Sequence, residues 1–391
     1  MILRSYTSLK NSISNLSLSE LGLWLLIPFA SLTNVMWFPV SPTMLFLLGA
    51  VACWIFQTFN NEQPKINNQK LKIVIVVCLI FAAYLFVSQY FMHAPFRRYI
   101  AAVMAPLFLF FILFFSEQTS ADFLKKLGRK LIRYSVIIFC FEAVFRYVMS
   151  FWMIAQGTNP YYGIYQFKFT ALIHGDSNLV AILLVLLLFF LLWWNDTYKE
   201  SLKKEIIIVS ILIVLAFSRA SIPAIAIGLF YYFFFRNLNW KKSLLVVFSI
   251  GISGILALWA LRYFPDYSFQ TKFLIFEEAL VYFQTAKLGN ILFGIGFSNT
   301  EYILSFGAHN YFLMYLMESG VIGLLLLCAT LLVFIKVSNG KITIILLPFI
   351  VQAMAASSPF LPYFYVITAL MIVLTQPKIE SDTKKNTLLL D

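Results

Sequence analysis

Leu179-Val-Ala-Ile-Leu-Leu-Val-Leu-Leu-Leu-Phe-Phe-Leu-Leu-Trp-Trp194 contains no charged side chain, and its only polar side-chain atoms are two indole nitrogens. Extended from Ser177 to Asn195, the run has roughly the 20 residues that a helix needs to cross about 30 Å of hydrocarbon. Helix is the form expected there, because it satisfies each backbone N–H and C=O within the segment where water is absent. Comparable runs recur along the 391 residues, of which 61% are hydrophobic and 12% charged, with a mean hydropathy of +0.86. Soluble domains carry about 25% charged residues. The sequence therefore reads as an all-α, polytopic integral membrane protein.

About twelve transmembrane spans are expected, over residues 21–40, 43–58, 73–91, 99–116, 131–154, 177–195, 205–218, 221–235, 243–261, 309–334, 342–357 and 361–375. Short turns near Ser218 and Ser357 join neighbouring spans there, and losing one span would invert everything downstream. Lysine and arginine concentrate in cytoplasmic segments. With both termini cytoplasmic, most of the 29 basic residues fall inside, the densest group being Lys125, Lys126, Arg129, Lys130 and Arg133. The net charge of +12 is then a topological signal that faces anionic lipid headgroups, and no nucleic-acid partner is needed to explain it.

The chain is expected to form a single membrane domain over residues 1–391, with two longer external loops at 155–176 and 262–308. Within the larger loop, Lys272 to Ala286 has apolar residues at near-helical spacing, which predicts a helix lying in the membrane interface. Gly294-Ile-Gly296 lacks the third glycine and the preceding strand of a dinucleotide fold, so it reads as a tight turn. The N-terminal segment has no small-residue cleavage site and is expected to stay attached. Cys53, Cys78, Cys140 and Cys328 fall within spans, without C-x-x-C spacing, as inert thiols.

The external cations depart from the charge rule, and they suggest chemistry. Arg219 stands in Phe217-Ser-Arg-Ala-Ser-Ile-Pro223 between two spans, and Arg262 and Lys272 follow the ninth span. Guanidinium forks bind phosphate oxygens in pairs, so these groups suit an anion at the membrane surface. Arg97, Arg98, Lys168 and Lys287 read as solvated interfacial charges. His309, one of three histidines, opens a span beside Asn310. Glu318 lies nine residues further in, where a carboxylate is costly unless it pairs or faces a cavity. Asp176, Ser177 and Asn178 are good helix N-caps. Glu142 and Arg146, four apart, read as a structural intramembrane pair that could instead line a groove for a lipid carrier. His93, His174 and His309 are far apart in sequence and no metal-ligand spacing recurs, so neither a metal nor another cofactor is expected.

His309 and Asn310, followed by nine residues and then Gly320 and Gly323, match the H-[NSQ]-x9-G-x-x-G signature. In this the chain resembles the bacterial O-antigen polymerase and O-antigen ligase family. Ser218-Arg219 resembles that family's external serine-arginine, and Gly294-Ile-Gly296 its Gly-x-Gly before the histidine. The likeness covers roughly residues 160–335. It departs at Pro223, where the ligase pattern has leucine, and Lys168 to Asn178 looks more like the corresponding segment of repeat-unit polymerases.

The resemblance implies a metal-independent glycosyltransferase of lipopolysaccharide biosynthesis in the bacterial inner membrane. Its donor would be an undecaprenyl-diphosphate-linked oligosaccharide, and its partners membrane lipids and a chain-length regulator. Arg219, Arg262 and Lys272 would neutralise the leaving diphosphate. His309 would accept the acceptor's proton or bind the diphosphate. Lys272, Asn310, Lys168 and Asp176 are the candidate substrate-binding residues. A polymerase is expected ahead of a ligase, which would hand the glycan to the lipid A core instead. A flippase or other transporter would show repeats and ionisable groups at the midplane of several spans.

Overall fold

The computed structural model describes residues 16–376, apart from residues 34, 36–37, 39, 61–65, 67, 160–162, 262–266, 306–307, 357 and 359. Among the described residues the regular structure is helical, with one isolated antiparallel bridge between Val35 and Ile173. The α-helices are α1 (Leu18–Leu26), α2 (Pro42–Phe59), α3 (Gln69–Phe91), α4 (Phe96–Ser116), α5 (Ala121–Ala155), α6 (Ser177–Tyr198) and α7 (Lys203–Leu215). They continue as α8 (Ser221–Phe235), α9 (Trp240–Leu261), α10 (Tyr267–Thr285), α11 (Leu288–Phe293), α12 (Tyr311–Val337), α13 (Thr343–Ala353) and α14 (Pro362–Thr375).

Five of these, α2, α3, α5, α6 and α12, are long and apolar enough to cross a membrane. Shorter apolar helices lie over Ile100–Ser116, Ser221–Phe235, Thr343–Ala353 and Pro362–Thr375. The chain is thus a membrane-embedded helical protein. Among the described residues of the segment expected to span from 21 to 40, only α1 is helical. Pro28 has no N–H to carry the ladder onward, and residues 28–31 turn instead. In contrast α5 begins ten residues before its expected start. Ser120 accepts from Phe123 N at its N-cap, and Asp122 lies in the first turn. Its 35 residues extend over roughly 50 Å, burying Leu124, Leu127 and Leu131 while Lys126, Arg129, Lys130 and Arg133 stay exposed.

Helix α6 is the pillar of the bundle. It is apolar all round, as a helix must be when protein surrounds it: 83% of its membrane-length window is buried, against 28% for α2 and α5. It packs against α13, α7, α8, α5 and α14. Exposed Leu45, Phe56, Phe141, Val148 and Phe230 on other helices are where a bilayer would supply the apolar partner.

Contacts sort the helix ends into two faces. On one, Arg129 bonds Glu200, Arg236 Nη1 meets Asp196 at 2.8 Å, and Lys336 lies over Trp240. On the other, Thr33 Oγ1 meets His174 Nε2 at 2.9 Å, and Ser177 Oγ donates to Ala216 O at 2.8 Å. Burial pushes the His174 pKa down to about 4, so it is neutral at neutral pH. The second face, the loop face, carries the candidate site. The stretch expected there as the large loop, 262–308, is mostly helix, through α10 and α11. The helix expected from Lys272 is present as α10 and begins at Tyr267.

Candidate functional site on the loop face

The site is built around a break in α12. Asn310 caps this helix, its Oδ1 accepting from Phe312 N at 2.9 Å and Leu313 N at 3.0 Å. Ten residues later Gly320 leaves the helix at φ 72°, ψ −179°, a region essentially closed to side-chain-bearing residues. Carbonyls freed by such a break must find donors, since buried unpaired backbone groups are costly. Ile295 N donates to Met317 O at 2.9 Å and Gly296 N to Glu318 O at 3.0 Å. Gln89 Nε2 adds a bond to Glu318 O at 3.0 Å, and Tyr84 Oη donates to Ser319 O at 2.6 Å.

The motif glycines thereby acquire a physical reason. A Cβ on Gly320 would lie 2.2 Å from Leu292 O, and one on Gly294 2.4 Å from Glu318 O, so the two backbones meet only as glycine. Gly323 abuts Ser319, whose Oγ a Cβ would meet at 2.1 Å. Glu318 is buried but paired: Thr300 Oγ1 donates to its Oε1 at 2.6 Å, and it bonds the backbone of Ser298 and Thr300. It fastens the chain at residues 298–300.

His309 and Asn310 line a narrow crevice with Lys272, Ile275, Phe276 and Met354. The imidazole keeps an exposed edge. Desolvation by the surrounding protein lowers its pKa; Asp176 opposes this, Lys272 adds to it, and Glu301 opposes it. A second group gathers on the same face. Lys168 is buried, with its Nζ 5.1 Å from the centre of the Tyr165 ring, and Arg219 Nη2 donates to Tyr165 Oη at 3.1 Å. Desolvation lowers the Lys168 pKa, Asp176 raises it, and Arg219 lowers it. Asp176 therefore acts on both groups and joins them electrostatically.

Of the residues singled out in the sequence, His309, Lys272, Lys168, Asp176 and Arg219 come together on this face. Arg262 lies outside the described residues. Lys168, expected as a solvated charge if it had no functional role, is instead buried against Tyr165, because Tyr165–Lys168 and Lys168–Ser177 backbone bonds fold the loop over it. Asn310 and Asp176 have their side-chain oxygens engaged in caps. Asp176 Oδ1 accepts from Asn178 N at 2.8 Å, so the capping expectation holds, and only part of each side chain remains for a ligand. Tyr165, Gln89, Tyr84 and Met354 were not legible as site residues. Each is an ordinary side chain of an apolar sequence until the fold brings it to the break, to the crevice or, for Tyr165, to Lys168 and Arg219. Among the described residues no three His, Cys, Asp or Glu side chains stand together as metal ligands.

Comparison with models of known protein families, with curated proteins and with solved structures gives no match.

Proposed function

We propose that the protein is a glycan polymerase of the O-antigen type, multi-pass in a bacterial inner membrane, with about twelve spans and both termini cytoplasmic. On this reading the loop face is periplasmic. The observation that carries it is the meeting of His309 and Lys272 at one crevice, with Asp176 acting on both His309 and Lys168, and with Arg219 and Lys168 both held at Tyr165. The match of His309, Asn310, Gly320 and Gly323 to the family signature supports it, as does the structural need for glycine at position 320.

The chemistry follows from the groups. A hydroxyl of the acceptor's sugar attacks the anomeric carbon of the donor glycan; the new C–O bond forms as the anomeric carbon–phosphate oxygen bond breaks. Charge grows on the departing diphosphate, where Arg219 and Lys272 stabilise it, with Arg262 as a third cation. His309, its pKa held below the ordinary imidazole value, is neutral at pH 7 and takes the hydroxyl proton. Lys168 contributes positive potential from beneath Tyr165. Undecaprenyl diphosphate is the leaving group and supplies the driving force, so no cofactor is required. The acceptor is the next lipid-linked repeat unit, and a chain-length regulator is the expected protein partner.

A lipopolysaccharide gel from a strain lacking the protein tests this. Core bearing one repeat unit is expected. Bare core would assign the ligase reaction, and an unchanged ladder would sink both. In complemented cells, His309→Ala and Arg219→Ala are each expected to abolish chain formation while the protein still inserts. Full activity in either variant would remove that residue from the mechanism.

A further inference from the structure

The two loops that present the cations are fastened by one buried side chain. Arg146 and Glu142 sit one turn apart on α5, both fully buried, with Nε donating to Oε1 at 3.0 Å. Of the two terminal nitrogens, Nη2 is buried with no hydrogen-bond partner among the described residues, and Nη1 reaches the neighbouring segments. Nη1 donates to Leu215 O at 2.9 Å and to Phe167 O at 3.3 Å. Leu215 is the last residue of α7, at the foot of the turn that carries Arg219, and Phe167 immediately precedes Lys168. Glu142 bonds the backbone of Leu172 in the same loop. Neighbours reinforce both attachments: Tyr147 Oη donates to Leu215 O at 3.0 Å, and Thr170 Oγ1 donates to Arg146 O at 3.2 Å.

A buried ion pair is weak evidence for a stability role, because an apolar pair of similar volume is often as stable. What an apolar pair cannot reproduce is a fork that donates to two separate backbone segments while its carboxylate partner accepts from one of them. We infer that Arg146, oriented by Glu142, is a positioning residue that sets the spacing of the Lys168 loop and the Arg219 turn and itself touches no substrate. Its consequence for glycan transfer rests on the function proposed above; the positioning itself does not.

Hydrogen exchange on the full chain in lipid nanodiscs separates these. In Arg146→Lys, and in the paired replacement Glu142→Leu with Arg146→Met, amides of 163–170 and 215–221 are expected to exchange at least tenfold faster. Those of 292–300, at the α12 break, should stay within twofold. Unchanged exchange in both loops would overturn the inference, as would uniform loosening of all segments. Loss of the apolar pair variant from the membrane would overturn it too, since the ion pair would then hold the fold itself. Exchanging the two residues, Glu142→Arg with Arg146→Glu, restores charge balance but reverses donors and acceptors, and it should not restore slow exchange; restoration would reduce the pair to charge neutralisation. Chain formation is expected to fall at least tenfold in Arg146→Lys. Loosened loops in a protein whose deletion leaves the glycan ladder unchanged would sustain the positioning and reject the glycosyltransferase.

Discussion

Helices α6 and α12 begin alike and then diverge. Each starts on the loop face from an Asx cap with nearly the same backbone, Asp176 at φ −135°, ψ 124° and Asn310 at φ −133°, ψ 125°. Each is apolar and long enough to cross a membrane. Beyond the cap, α6 continues to Tyr198 without a break and is enclosed by protein, whereas α12 opens at Gly320 and hands Met317, Glu318 and Ser319 carbonyls to Ile295, Gly296, Gln89 and Tyr84. The unbroken helix supplies a fixed axis and, at its cap, Asp176. The broken one accepts a foreign loop in its backbone and thereby fastens residues 295–300. Non-helical backbone at membrane depth is tolerated where protein satisfies it, and that condition is met here.

The contrast can be broken at the glycine. Gly320→Ala is expected to destabilise the protein by more than about 3 kcal/mol, because an unfavourable φ is joined by a clash with backbone rather than with a yielding side chain. The reverse change in the pillar, Ala181→Gly, should cost only about 0.5–1 kcal/mol of helix entropy. Thermal unfolding of the two variants in one detergent measures the difference. Equal losses would mean that the break has no special constraint.

A smaller effect is expected at the carbonyls. Tyr84→Phe removes the donor to Ser319 O and should cost about 1–3 kcal/mol, the penalty of an unsatisfied buried acceptor. The loss should appear as faster exchange around 318–320, with α6 unaffected. If α6 loosens as much, the carbonyl bond is not the cause.

The smallest effect distinguishes the caps. Asp176→Asn keeps a good N-cap but removes the charge that raises the His309 pKa. The acid limb of the pH–activity profile already belongs below the ordinary imidazole value of about 6.5, and it should shift lower still in this variant. An upward shift would contradict the electrostatic link between the two halves of the site. The same depression has a stability sign. A histidine whose folded pKa is lowered binds its proton more readily when unfolded, so its contribution is present above about 6.5 and is lost as pH falls. His174, pushed down to about 4 by burial, acts in the same direction over a wider window.

Helix content and the membrane setting were legible because they follow from local properties. Apolar length fixes where a helix must satisfy its own backbone, Asp176 marks a start, and His309 with Gly320 and Gly323 marks a motif. Even so, the start of α5 and the end of α1 depart from the apolar runs, since hydropathy does not see a solvated basic extension or a proline-terminated turn. Lys168 illustrates the limit for the site. In sequence it is an exposed cation, and only the folded loop buries it beneath Tyr165 and beside Asp176.

By itself the sequence determined that the chain is helical and membrane-embedded, that Glu142 and Arg146 share a helical face, and that His309 opens an apolar segment. All of these depend on neighbours within a few turns. Tertiary structure alone decided that Gly320 breaks α12 to receive residues 294–296, that Asp176 links His309 to Lys168, and that Arg146 ties Leu215 to Phe167. These are contacts between segments distant along the chain. Their geometry is set by how helices pack, and no local pattern of residue types records it.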